Sequence, residues 1–330
     1  MTRRTPIARL LFPALRPTVT EGFAVVRPAI EHGLELGVGG FVLFGGDAEA
    51  VRELTGELHR RSAHPLLIAS DLERGAGQQF RGATPLPPAA ALGSLGDPRI
   101  SERAGELTAR EARALGVNWI YAPVADVDLE SRNPIIGTRA FGTEPEAVAA
   151  QVAAWTRGCA RGGALSCVKH FPGHGRTVGD SHAERPTVAA GRQELEADLA
   201  PFRAGFAAGT DATMTAHVSY PALDPSGRPA TLSRPILHGL LREELGFGGL
   251  VVTDALIMDG LTEDVSEAQA AVEALAAGCD ALLYPGDTDV VMRELAAALE
   301  DGRVARSRVD DAVRRVGAAA ERVAGAPGGE

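Results

Sequence analysis

Cysteine, aromatic side chains, clustered positive charge and long apolar runs are all scarce in this chain. Three cysteines, Cys159, Cys167 and Cys279, stand in 330 residues with no Cys-x-x-Cys spacing. That excludes a disulfide framework and a thiolate zinc site, and each thiol lies in an apolar stretch where a buried core residue is expected. Aromatics make up 5% of the chain, and no Lys/Arg cluster is interleaved with them, so the usual signature of a nucleic-acid binder is missing. The formal net charge of -10 also disfavours non-specific attraction to nucleic acid or an anionic membrane. No run approaches the roughly 18 apolar residues of a membrane span. Arg3-Arg4 ahead of Ile7 to Phe12 resembles the start of an export signal. That apolar run is short, broken by Arg9 and closed by Pro13 and Pro17, so a first strand and a soluble cytoplasmic protein are expected.

The chain is rich in short apolar runs bounded by Gly, Pro or Asp. They are Ile7 to Phe12, Gly40 to Phe44, Leu66 to Ser70, Asn118 to Ala122, Ala164 to Val168, Asp211 to Ala216, Leu250 to Thr253 and Ala281 to Tyr284. Continuous rather than alternating runs fit parallel strands covered on both faces. Helical patterns lie between them: Ala48 to Arg61, Ser101 to Leu115 after Asp97-Pro98, Glu144 to Arg161, Gln193 to Ala208, Ser233 to Gly246, Ser266 to Ala277, Val290 to Leu299 and Arg306 to Val323. This alternation predicts an α/β protein, a single-domain (β/α)8 TIM barrel over residues 1–330 with a frayed tail at 324–330. No Gly-x-Gly-x-x-Gly follows the first run, which removes the main support for an open dinucleotide-binding sheet.

In a barrel, chemistry gathers at the C-terminal ends of the strands. The third run ends in Asp71 and Glu73-Arg74, the fourth leads to Asp126, Asp128 and the segment Asn133 to Arg139, and the fifth ends in Lys169-His170. The sixth ends in His217 and the seventh in Asp254. The densest segment is Lys169-His170-Phe171-Pro172-Gly173-His174-Gly175, followed by Asp180-Ser181-His182; it holds three of the chain's 8 histidines. A strand feeding a glycine-containing loop of titratable groups is a common way to aim and move catalytic side chains. Asp254 is a candidate nucleophile or base, with a turn-capping carboxylate as the plainer reading. Lys169 could hold hydroxyls, form a Schiff base or pair with a carboxylate. Asp180 and His182, two apart, could form a hydrogen-bonded acid/base pair or be two exposed loop residues.

The segment Lys169 to His182 resembles the KHFPGHG…DSH signature of glycoside hydrolase family 3, in its β-N-acetylhexosaminidase branch. Similar too are Met214 to Asp224, Pro229 to Ser233, Leu240 to Phe247 running into Val251 to Leu256, and Ala122 to Val127 with Asn133-Pro134 and Arg139. The likeness spans about Gly37 to Pro285. It implies a retaining exo-β-N-acetylglucosaminidase acting on β-linked N-acetylglucosaminides such as peptidoglycan fragments. Asp254 would be the nucleophile that forms a covalent glycosyl-enzyme, and His182, held by Asp180, the general acid/base. Asp71, Arg139, Lys169 and His170 would hold the sugar. Two carboxylates are the usual pair in retaining enzymes, and an Asp-His pair departs from that rule. A neutral nitrogen donor does not repel an anion, so phosphate is an open alternative acceptor to water. No cofactor or metal is implied, the partner is a small carbohydrate, and a monomer or weak oligomer is expected.

One departure concerns the third strand's loop. The family pattern Asp-x-Glu-Gly-Gly-x-x-x-Arg reads Asp71-Leu72-Glu73-Arg74-Gly75-Ala76-Gly77-Gln78-Gln79 here, with Gln79 in place of a sugar-contacting arginine and Arg74 or Arg81 as candidates to compensate. This leaves β-glucoside use open. Among rival readings, a metal hydrolase using His170, His174, His182 and Asp180 lacks a His-Glu-x-x-His helix. A Schiff-base lyase on Lys169 would leave Asp254 and the Asp180–His182 pair without a shared task. A non-catalytic sugar-binding barrel would have no reason to keep the chemistry of every matched position.

Overall fold

The computed structural model describes residues 6–181 and 185–324. His182 therefore lies outside the described residues, as does the expected frayed tail apart from Ala324. The strands are β1 Leu11–Phe12, β2 Ala14–Leu15, β3 Gly40–Leu43, β4 Leu67–Ser70, β5 Trp119–Ile120, β6 Leu165–Phe171, β7 Ala212–Thr215, β8 Leu250–Val252 and β9 Leu282–Leu283. Nearly every strand residue is buried, as the unbroken apolar runs require. The helices are α1 Arg27–Leu36, α2 Ala48–Arg61, α3 Ala89–Ser94, α4 Pro98–Ala114, α5 Pro145–Arg161, α6 Arg192–Ala207, α7 Asp259–Thr262, α8 Glu267–Ala277, α9 Thr288–Glu300 and α10 Arg306–Arg322. A π-helical segment, Pro235–Glu244, takes the place of the helix expected from Ser233.

All strand pairings are parallel. Strands β2 to β8 form one curled seven-stranded sheet in chain order, and β1 pairs with β9 separately. A single parallel bridge, Val252 to Ala281, joins the two ladders. The architecture is a TIM-barrel-like α/β fold, with a seven-stranded regular sheet where eight equal strands were expected. The reason lies in the first run. Pro6–Leu10 is a 3-10 helix rather than strand, and extended chain follows in two pieces on either side of Pro13. Proline has no N–H to give to a ladder, although the Pro13 carbonyl still accepts from the Val42 amide at 2.9 Å. The first strand therefore ends at Leu15, three residues beyond the expected Phe12.

The few aromatics are concentrated in the interior. Phe12 and Tyr121 both meet the fully buried Trp119 edge-on, with ring centroids 5.4 and 5.0 Å away. Some of the outer helices begin at side-chain caps. Asp97 accepts from the Arg99 amide ahead of α4 and Ser266 from the Gln269 amide ahead of α8. α4 and α5 approach so closely that a Cβ on Gly158 would lie 1.8 Å from the Glu102 carbonyl. At the strand N-termini, buried Asp280 accepts from Arg242 at 2.8 Å, from the Val251 amide at 3.0 Å and from Arg308. That network tethers β8 to the π-helical segment and α10. The three cysteines are free and buried. Among the described residues, no helix is long and apolar enough to cross a membrane.

Candidate active site

A cavity of about 550 Å³ opens where the strands end. Its lining includes Asp71, Glu73, Arg139, Lys169, His170, His174, Ser181 and Asp254, so most of the residues singled out by the sequence face one space. Strand β6 is the longest and wholly buried, and its last turnings place Lys169 and His170 at the cavity floor. Lys169 is also the only lysine in the chain. That bias was available as a sequence signal.

Opposite charges are matched across the floor. Lys169 Nζ lies 2.6 Å from Asp71 Oδ1 and 2.7 Å from Glu73 Oε1. Arg139 grips both oxygens of Glu73, at 2.8 and 3.0 Å, and its Nη2 stands 3.3 Å from His170 Nε2. His170 Nδ1 is 2.7 Å from Asp126 Oδ2. A carboxylate can only accept, so the His170 ring carries a proton on Nδ1 and donates it to Asp126. Asp126 also accepts from the His174 amide at 2.6 Å. Burial penalises the Lys169 ammonium, yet Asp71 and Glu73 outweigh it and raise its pKa. An amine held as a cation between two carboxylates is a poor Schiff-base nucleophile. Burial likewise penalises Glu73, and Lys169 and Arg139 outweigh it to keep its carboxyl well below the usual range.

Asp254 follows β8. Its Oδ1 accepts from the Ala255 amide at 2.8 Å, and no cation among the described residues forms an ion pair with it. Burial favours its neutral form, but His170, His217, the Ala255 N–H and Lys169 together hold its pKa below the ordinary value. It is therefore an ionised carboxylate at neutral pH with a lone-pair-bearing oxygen in the cavity. His217 does not enter the cavity lining. Its Nδ1 meets Thr231 at 2.7 Å and its Nε2 the Ala255 carbonyl at 3.1 Å, so it braces the turn that carries Asp254.

The first part of the loop after β6 is tightly fixed. A Cβ at Gly175 would fall 1.7 Å from the Val127 carbonyl, which admits only glycine. Tyr220 OH donates to the Gly173 carbonyl at 2.7 Å, and Arg176 Nε to Asp198 at 2.7 Å. His174 Nδ1 meets Thr177 Oγ1 at 2.8 Å, and its Nε2 meets Ser181 Oγ at 3.0 Å. The Gly260 amide donates to the Ser181 carbonyl at 3.1 Å. Ser181, between Asp180 and position 182, is thus pinned from two sides. Sequence reasoning named Glu73 and Asp126 as strand-end acids without giving them a part, and passed over Ser181. Only the fold brings Glu73 between two cations and Ser181 under His174.

Burial, followed by the charge on His170, lowers the His174 pKa to about 4. Its folded value lies below its unfolded one, so His174 contributes stability above pH ~6.5 that drains away as pH falls toward ~4, about 2–3 kcal/mol by pH ~4.5. The His174→Gln variant should lack this component. Urea unfolding at pH 7.5 and 4.5 should show the wild-type chain losing more stability than the variant by that amount. Equal losses would mean that His174 is not a buried neutral imidazole.

Of the two arginines offered as compensation for Gln79, one lines the cavity and the other does not. Gln79 lines the cavity and its carbonyl accepts from the Gly45 amide at 3.2 Å. Arg81 pairs with Asp47 on the surface, away from the cavity. Arg74 does line it. So does Arg16, which sequence reasoning missed because the first strand was expected to end at Phe12 rather than Leu15. Among the described residues, no group of three or more His, Cys, Asp or Glu side chains is disposed to hold a metal ion.

Residues 26–319 match the model of the glycosyl hydrolase family 3 N-terminal domain. A β-hexosaminidase of Chromobacterium violaceum is 40% identical over 292 residues, covering 83% of this chain and 80% of that protein. A β-N-acetylglucosaminidase/β-glucosidase of Cellulomonas fimi is 36% identical over 291 residues, covering 85% of this chain and 52% of that protein. The solved structure of a glycoside hydrolase family 3 β-N-acetylglucosaminidase from Paenibacillus superposes with a TM-score of 0.89 at 36% identity, covering 98% of this chain and 63% of that one. The chain thus spans about half the length of one relative and four-fifths of another. With the matched charges around one cavity and a family model that covers most of its length, this chain belongs to glycosyl hydrolase family 3, through that family's N-terminal domain.

Proposed function

We propose that the chain is a retaining β-N-acetylhexosaminidase that removes β-linked N-acetylglucosamine from the non-reducing end of small glycans, peptidoglycan fragments included. The observation that carries this reading is an ionised Asp254, with no ion pair among the described residues, facing the Lys169–Asp71–Glu73–Arg139–His170 network across a sugar-sized cavity. The names of the relatives support the glycosidase class and the N-acetyl sugar. The same reading takes the β1–β9 pair and the Val252–Ala281 bridge as the seam of an eight-stranded (β/α)8 ring in one domain.

In this mechanism Asp71 accepts from sugar hydroxyls, while Lys169, Arg139 and His170 are donors or lone-pair partners for the remainder. Asp254 attacks the anomeric carbon, the glycosidic C–O bond breaks, and the leaving oxygen takes a proton from His182, which Asp180 orients. A water then gives its proton back to His182 and attacks the same carbon, releasing Asp254 and restoring the β configuration. Ser181, pinned by His174 and Gly260, fixes the chain beside Asp180.

The test uses paired substrates. His182→Ala should slow the hydrolysis of an unactivated alkyl N-acetyl-β-D-glucosaminide by roughly 10²–10⁴-fold, the usual worth of general acid catalysis, and should slow bond cleavage in the 4-nitrophenyl glycoside far less. Equal losses on both would sink the acid/base assignment. Running the wild-type assay with and without phosphate identifies the acceptor, since sugar 1-phosphate as main product would make the enzyme a phosphorylase.

A further inference from the structure

The charges of the cavity do not balance evenly. Lys169 and Arg139 are matched by Asp71 and Glu73 on the floor, which leaves Asp254 inside and two guanidinium groups, Arg16 and Arg74, on the lining. Both arginines are exposed, and neither forms an ion pair with a carboxylate among the described residues. Arg74 instead anchors its own turn, its amide donating to Gln78 at 2.8 Å. Unmatched cations at the entrance of a protein whose net charge is -10 are out of keeping with its general surface, where arginines are mostly paired.

Arg16 is also deliberately held. Its guanidinium carbon sits 4.0 Å over the Phe44 ring and 5.1 Å from the Tyr284 ring, and its Nε donates to Tyr284 OH at 2.9 Å. Stacking restrains the guanidinium plane without consuming its terminal N–H donors. Tyr284 itself has φ of +49°, the single non-glycine residue with positive φ among those described. A side chain as bulky as tyrosine in that region costs free energy and persists only where its surroundings enforce it. Here the conformation puts the phenol beside Arg16 at the mouth.

We infer that Arg16 and Arg74 form an oxyanion-recognising subsite for the aglycone, and that the preferred leaving group bears a carboxylate. A carboxylate is the planar anion that a flat, immobilised guanidinium binds through two parallel hydrogen bonds. On the glycosidase reading the buried floor takes the sugar ring, which leaves the exposed rim with Arg16 and Arg74 to the leaving group. The inference rests on the glycosidase reading above, and the experiment separates the two.

Binding of two non-hydrolysable thioglycosides is measured by calorimetry on the full chain: phenyl 1-thio-N-acetyl-β-D-glucosaminide and its 3-carboxyphenyl counterpart. The carboxylate should tighten binding by about 10-fold, the low end for a charge-assisted hydrogen bond at an exposed site. The gain should shrink in 0.5 M salt, which screens exposed charge. Arg16→Gln and Arg74→Gln should each cut the ratio of the two affinities, and together return it to about one. Binding of the phenyl compound without any carboxylate gain, or a gain that both substitutions leave intact, overturns the subsite while the sugar site stands. Failure of both compounds to bind folded protein overturns the sugar-site reading, and the subsite with it.

Discussion

The Asp254→Ala variant should hydrolyse N-acetylglucosaminides on the order of 10⁴-fold more slowly than the wild-type chain or worse, as expected when a covalent nucleophile is removed. The fold should be untouched. Asp254 accepts one local hydrogen bond, from Ala255, and removing a carboxylate that burial disfavours does not strand a partner. The substitution also opens space for a small anion beside the anomeric carbon. Azide should therefore restore turnover of the 4-nitrophenyl glycoside and yield the α-configured glycosyl azide, since azide would attack from the face that Asp254 occupied. Retained activity, or rescue that gives only β product, would remove Asp254 from the nucleophile's role.

The Lys169→Met variant should have the largest effect on stability. Lys169 is 2% exposed and contacts Asp71 and Glu73. Removing one partner of a buried ionic group costs roughly 3–5 kcal/mol; here Asp71 loses its cation and Glu73 is left with Arg139 alone against its burial. The sign of the pH effect follows. In the wild-type chain Glu73 has a depressed pKa, so it contributes stability at neutral pH that is lost as pH falls below its ordinary value. Without Lys169, one of the two cations opposing burial is gone, and protonation of Glu73 relieves strain. The difference in unfolding free energy between variant and wild type should therefore be greater at pH 8 than at pH 5. A constant difference across that range would mean that the Lys169 contacts are not the source of the cost.

Much of the site was legible because barrel chemistry follows a positional rule. Residues just beyond the third, fifth and seventh apolar runs, namely Asp71, Lys169-His170 and Asp254, converge on one cavity as expected. Arg139 joins them from a loop. The cap at Asp97, ahead of Pro98, was also legible, since an N-cap is a local hydrogen bond. The first strand was misplaced for a complementary reason. Ile7 to Phe12 has the hydrophobicity of a strand, and hydrophobicity alone does not separate a short buried strand from a buried turn of 3-10 helix. That error of three residues concealed Arg16.

By itself, the sequence determined the class of fold, the strand ends that carry polar groups and the motif that relates the chain to its family, because apolar runs, caps and strand-end positions are local properties of the chain. Tertiary structure alone decided the pairings. Glu73 lies between Lys169 and Arg139, Asp126 holds His170, His174 holds Ser181, Arg81 turns away to Asp47, and Arg16 stacks on Phe44 and Tyr284. These partners are distant in sequence or drawn from separate loops. Which cation neutralises which carboxylate depends on distances that arise only when the parallel sheet curls and brings its strand ends together.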